Sequence, residues 1–288
     1  MLGADGLVLP LSGALAVIMS RGDTIDSDDL PGVLSSTDRP PFEVVNDSGR
    51  SPVLLVCEHA GTEVPAALNK LGLAPEIFSR HIALDIGAAG VARVMAEAMD
   101  ASLVLQPYSR LVVDCNRHFQ AVDCFPEVSD TVLIPGNMNL TDRQKCDRYE
   151  EIHVPFHHKV EGFLDRPSAE REAVVVSIHS FTPSLKATGI ARPWEIGFLF
   201  NRDDRLARRL KPIVERMRRS VVAAFNEPYQ GSDTTDYTIP VHGERRGIEH
   251  VLIEIRNNLI GTPAGQAEWG TLLAAAVSEA VSKGGSKQ

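Results

Sequence analysis

The sequence predicts an α/β fold, a mixed β-sheet flanked by helices on both faces, and three observations carry that expectation. Apolar runs such as VLLVC (53–57), SLVLQ (102–106), AVVVSIHS (173–180), EIGFLF (195–200) and VLIEI (251–255) read as strands buried on both sides. Segments with helical spacing separate them, which is the alternation a layered α/β domain needs. With 43% hydrophobic residues over 288 positions the chain can fill a sizeable core, and no internal repeat breaks the pattern.

Taken in order, LVLPLSGALAVIMS near the N-terminus is apolar, but no Lys or Arg precedes it and Pro10 interrupts it. It falls short of the ~20 residues a bilayer span requires, so neither a signal peptide nor a membrane segment is expected. Residues 21–50 are rich in Asp, Ser and Pro and read, with the rest of 1–50, as an arm or linker. One domain over 51–288 follows. Within it a helix is expected at about 84–99 and a strand at LVVD (111–114). A long helix should begin after Thr141, where TDRQ can form a capping box and Ile152, Phe156, Val160 and Phe163 recur at helical spacing. An amphipathic segment runs from Asp203 to about Phe225, and an Ala-rich helix closes the chain.

The formal charge of −9 argues against nucleic-acid binding, because phosphate neutralisation needs clustered Lys and Arg. RRLKPIVERMRR reads as a solvated helix face, with no aromatic residues interleaved for nucleic acid. Four cysteines without CxxC spacing suit a reducing cytoplasm, and Cys57 reads as a core thiol.

Polar residues at strand ends are the functional signal. VLLVCEH delivers His59, AVVVSIH delivers His179, and VLIEI carries Glu254 with Arg256 two positions on, on the same face. Open α/β sheets bind ligands at the carboxyl edge of their strands, so neighbouring strands would bring His59 and His179 into one crevice. Asp85, at the start of the expected helix, is either its N-cap or a third ligand. Two histidines, a carboxylate and an open position suit a catalytic zinc ion. His153, His157 and His158 read as a solvated helix face, and His242 and His250 as loop or edge residues. In SRLVVDCNR, Arg110, Asn116 and Arg117 surround Asp114, either as structural ion pairs or as donors for a substrate carboxylate.

CEHAGTEVP, SRLVVDCNR, SIHSFTP and HVLIEIRNNLI, in this order, resemble the N-formylglutamate amidohydrolase family over roughly residues 50–275. The resemblance implies a zinc amidase with carboxypeptidase-like architecture, His59, Asp85 and His179 as ligands, and Glu254 as proton shuttle. Arg110, Asn116, Arg117 and Arg256 become substrate-binding candidates. The expected substrate is a small N-acyl amino acid, N-formyl-L-glutamate, cleaved to formate and L-glutamate in amino-acid catabolism of the histidine-degradation type. EHAG departs from the family's HSG pattern, which makes Glu58 a competing ligand, a residue behind the ligands, or a second catalytic base. The alternatives are a zinc amidase acting on another N-acyl amino acid or a peptidoglycan-like peptide, and a non-catalytic binding protein on the same fold.

Overall fold

Alternation within single strands decides how the layers assemble. In strand β2 (Val53–Cys57) the residues Val53, Leu55 and Cys57 enter one core and Leu54 and Val56 the other, so both faces are covered. The computed structural model describes residues 32–166, 172–185 and 188–284. The other strands of the main sheet are β1 (Glu43–Val45), β3 (Ser102–Leu105), β6 (Val174–Phe181), β7 (Ile196–Leu199), β8 (Ala223–Phe225) and β9 (Glu249–Arg256). Two short strands, β4 (Val128–Ser129) and β5 (Val132–Leu133), make a separate hairpin.

The main sheet has seven strands in the order β1-β3-β2-β6-β9-β7-β8. Strands β3, β2, β6 and β9 are parallel, whereas β1 joins β3 and β7 joins β9 in the antiparallel sense, so the sheet is mixed as expected. Helices α1 (Ala88–Met99), α4 (Arg205–Met217) and α5 (Pro263–Gly284) cover the face that receives Leu55 and Ile253. The opposite face is covered by α3 (Val154–Leu164), through Phe156 and Val160, and by the buried loop carrying Leu111, Val112 and Val113. Helix α2 (Asp142–Arg148) precedes α3, and a π-helical turn, Tyr149–His153, joins them. The expected capping box is present: Thr141 accepts from the Gln144 backbone while Gln144 reaches back to Thr141.

Three elements differ from expectation. LVVD (111–114) is not a strand; it is a turn-rich buried loop in which Val112 N–H reaches only back to Ser109 and Asp114 N–H bonds Cys124, so no ladder forms. The amphipathic helix stops at Met217, and the sequence up to Phe225 instead forms edge strand β8. Glu43–Val45, inside the expected arm, pair with β3, and the folded unit reaches back to Gly32. The apolar stretch near the N-terminus lies outside the described residues. Among the described residues, no helix is long and apolar enough to cross a membrane.

Candidate metal centre

His59 stands two residues beyond β2, His179 lies on the neighbouring β6, and Asp85 sits in the turn before α1. Their ligand atoms lie within 4.8 Å of one another, and all three side chains are buried. Oδ2 of Asp85 is 3.3 Å from Nδ1 of His59 and 2.8 Å from Nδ1 of His179, and it accepts the Ser180 N–H at 3.2 Å. Asp85 is not an N-cap: Gly87, at φ 82°, occupies that position with no side-chain cap. The left-handed turn that Gly87 supplies leaves the Asp85 carboxylate free to face the histidines.

The far side of each ring identifies what this cluster suits. Nε2 of His59 is 2.8 Å from Oδ1 of Asp114, and Nε2 of His179 is 3.1 Å from Oε2 of Glu58. A carboxylate only accepts, so Nε2 of His59 carries its hydrogen and in a neutral ring leaves Nδ1 as a lone pair; Nε2 of His179 stands close to Glu58 without a hydrogen bond. Nδ1 of both rings faces one Asp85 oxygen, and the His59 lone pair there repels it unless a cation or a proton stands between them. Carboxylate–histidine pairs of this kind orient metal ligands. Without metal, protons substitute: burial opposes the charge, but Glu58 and Asp85 together hold His179 well above the ordinary imidazole range. Burial raises Asp85, yet the two imidazoles outweigh it and hold Asp85 below the usual carboxylate range. A metal ion held by this cluster would displace those protons.

The cluster opens into a cavity of about 430 Å³ lined also by Arg110, Asn116, Arg117, Ser180, Tyr229, Asp236 and Glu254. Glu254 projects from β9 directly beside His179 in the parallel register. Its Oε2 has no partner among the described residues, and burial, against the pull of His179, pushes it up to about 8. Opposite Glu254 on β7 is Gly197, where a Cβ would collide with the Glu227 carbonyl oxygen, so glycine there admits the backbone leading to Tyr229. Arg110 spans Asp114 at 2.6 Å and Asp85 at 3.3 Å. Asn116 donates to Asp236 and accepts the Tyr237 and Thr238 N–H groups. Arg117 binds Asp123 at 2.7 Å and the Thr235 carbonyl.

Not every expected site residue joins this cavity. Arg256 engages Asn258 and the Pro193 carbonyl and does not line it. Glu58 lies on the far edge of His179, bonded to Ser177, and does not line it either. Burial raises Glu58, but the His179 charge outweighs it and holds Glu58 down to about 2. His153 and His157, expected on a solvated face, are buried, as are His242 and His250; only His158 is exposed. Each buried one has a polar contact from another segment or a nearby backbone carbonyl, which spacing alone does not reveal. Tyr229 and Asp236 escaped the sequence reading because no local pattern marks them. Asp114 was visible in SRLVVDCNR, but its contact with His59 was not.

A model of the N-formylglutamate amidohydrolase family matches residues 51–261. A solved gene product of Agrobacterium tumefaciens is 37% identical, with a TM-score of 0.82, over 87% of this chain and 98% of its own. N-formylglutamate amidohydrolase from Ralstonia eutropha JMP134 is 23% identical, with a TM-score of 0.59, over 85% of this chain and 100% of its own. None of the curated proteins matches. With the family match spanning most of the chain and a buried His-Asp-His cluster suited to one metal ion, the chain belongs to the N-formylglutamate amidohydrolase family.

Proposed function

We propose that the protein is a zinc-dependent hydrolase that cleaves the amide of N-formyl-L-glutamate to formate and L-glutamate. The observation that supports this best is Glu254, a buried carboxylate with an unpartnered oxygen in the cavity wall, next to His179 of the ligand cluster. His59, Asp85 and His179 would hold the metal, with Asp114 and Glu58 fixing the rings from behind. A zinc ion supplies Lewis acidity, polarising the formyl carbonyl and lowering the pKa of a water to about 7.

The chain's own residues account for the remaining steps. Glu254, pushed up to about 8 chiefly by burial, accepts a proton from the attacking water and returns it to the departing amine. Arg110, clamped by Asp114 and Asp85, offers a fixed positive charge to the oxyanion that develops. Arg117 and Asn116, on the cavity wall, present donors to a substrate carboxylate. The free cysteines are consistent with a cytoplasmic role in amino-acid catabolism.

The test is a panel of N-formyl and N-acetyl amino acids, with a short peptidoglycan-like peptide, assayed with and without chelator. N-formyl-L-glutamate should be preferred and chelation should stop turnover. In the same assay Glu254→Gln should retain metal while kcat falls by about 10² to 10⁴, the range for general acid–base catalysis. Equal turnover after verified metal removal, or no turnover of any N-acyl amino acid, would sink the proposal.

A further inference from the structure

Behind the cavity wall lies a second group of histidines that touches neither the cavity nor the ligand cluster. His153 and His157 come from the π turn and α3, and His242 comes from a second π-helical turn, Ile239–Gly243. Nε2 of His157 is 2.6 Å from the Cys115 carbonyl, and Nε2 of His153 is 3.0 Å from the Arg117 carbonyl. A carbonyl only accepts, so both rings carry hydrogen on Nε2. Nδ1 of a neutral His157 is then a lone pair, and Nε2 of His242, 2.9 Å away, must donate to it. His153 of the first π turn and His157 of α3 thus place donors on the carbonyls either side of Asn116, His242 of the second π turn backs His157, and π insertions are frequent at functional positions.

The same region is tied a second time from the front. Asn116 Oδ1 accepts from Tyr237 and Thr238, and its Nδ2 donates to Asp236 at 3.1 Å, while Arg117 reaches the Thr235 carbonyl. Tyr237 packs on His153 and His157 with ring centroids 4.6 and 4.3 Å apart. Burial first, and then the His242 imidazole, hold His157 down to about 3, so the ring stays neutral at ordinary pH.

We propose that His157 and His242, as a neutral hydrogen-bonded pair with His153 beside them, position the Asn116–Arg117 and Thr235–Asp236 walls and thereby set affinity for the acidic end of the substrate. They are positioning residues, and the proposal rests on the hydrolase reading above. Removing the pair leaves ligands and general base in place but lets the wall drift.

The experiment uses the metal-replete full chain with N-formyl-L-glutamate. His157→Phe keeps ring volume and removes both nitrogens; KM should rise about 5- to 10-fold, the worth of one or two neutral hydrogen bonds, with kcat within about twofold and metal content unchanged. His157→Gln, which restores a donor for the Cys115 carbonyl, should recover most of the KM. An unchanged KM with a lowered melting temperature would make the pair structural only and overturn the proposal. Should His157→Phe fail to fold, imidazole ¹⁵N shifts of the wild type, assigned through His157→Gln and His242→Gln, decide it. Neutral Nε2–H tautomers for both rings at pH 7 support the pair, and an imidazolium at either position overturns it. Absence of turnover in the wild type would instead signal failure of the hydrolase reading, which the ¹⁵N shifts do not depend on.

Discussion

His59 and His179 stand on one side of the cavity wall and His153, His157 and His242 on the other, all buried to 2% exposure or less, yet the partners that face their rings differ in charge. In the first, carboxylates meet the Nε2 edges, and His179 is held well above its ordinary range by Glu58 and Asp85 against burial. In the second, carbonyls or another imidazole meet the rings, and burial leaves His157 and His242 at about 3. The difference teaches that the partner across the ring, rather than burial or spacing, separates an imidazole suited to a cation from one that stays neutral. Charged acceptors stabilise positive charge at the ring, and neutral ones do not offset the loss of hydration.

The strongest test of that contrast is removal of ligands. His59→Ala and His179→Ala should each abolish bound metal and turnover, because a three-donor site reduced to two loses geometry and affinity together. The same truncation at His157 should leave metal content near one per chain. Metal retained in His179→Ala would place the centre elsewhere.

A subtler change addresses the partner alone. Asp114→Asn keeps the size of the side chain facing His59 Nε2 but removes its charge. Metal affinity, measured by competition with a chelating dye, should weaken by about 10- to 100-fold, the usual cost of losing such a partner. Unchanged affinity would show that a neutral acceptor serves equally well, and the contrast between the two groups would collapse.

The effect that leaves metal and turnover aside is on acid stability. His157 and His242 titrate near 6.5 when unfolded and at about 3 when folded, so the unfolded chain binds more protons between those values. Their contribution is fully present above pH 6.5 and is lost as pH falls toward 3. In metal-free protein, the fall in Tm between pH 7 and 4.5 should therefore be steeper in the wild type than in His157→Phe/His242→Phe, by about 10 °C. Parallel curves would mean that the pair is not neutral in the native state. Glu58, held down to about 2, adds a further loss only below about pH 4.5 in both proteins.

Much of the fold was legible because parallel central strands are buried on both faces and so read as unbroken apolar runs, as VLLVC and VLIEI do. The same runs located His59, His179 and Glu254: a polar residue closing or interrupting such a run has no solvent to face. The short edges β1 and β8 were not legible, since three residues with partial burial carry little pattern. LVVD misled because apolar residues in a buried loop look like a strand until the ladder is sought. The histidines of α3 misled differently. Positions 153 and 157 share a helix face, but what that face meets is fixed by Cys115, Arg117 and His242, distant in the chain.

Gly197 carries a consequence of another kind. The missing side chain lets the Glu227 carbonyl press against β7 and brings Tyr229 to the mouth of the cavity, while His59, Asp85 and His179 are supported by β2, β6 and the turn before α1. A methyl group at that position would lie 1.8 Å from the Glu227 carbonyl oxygen, so the segment leading to Tyr229 could not keep its place against β7. Tyr229 therefore owes its place on the cavity wall to the lack of a side chain on a strand that supplies no metal-ligand candidate, so a change of one residue outside the cluster reaches the cavity lining.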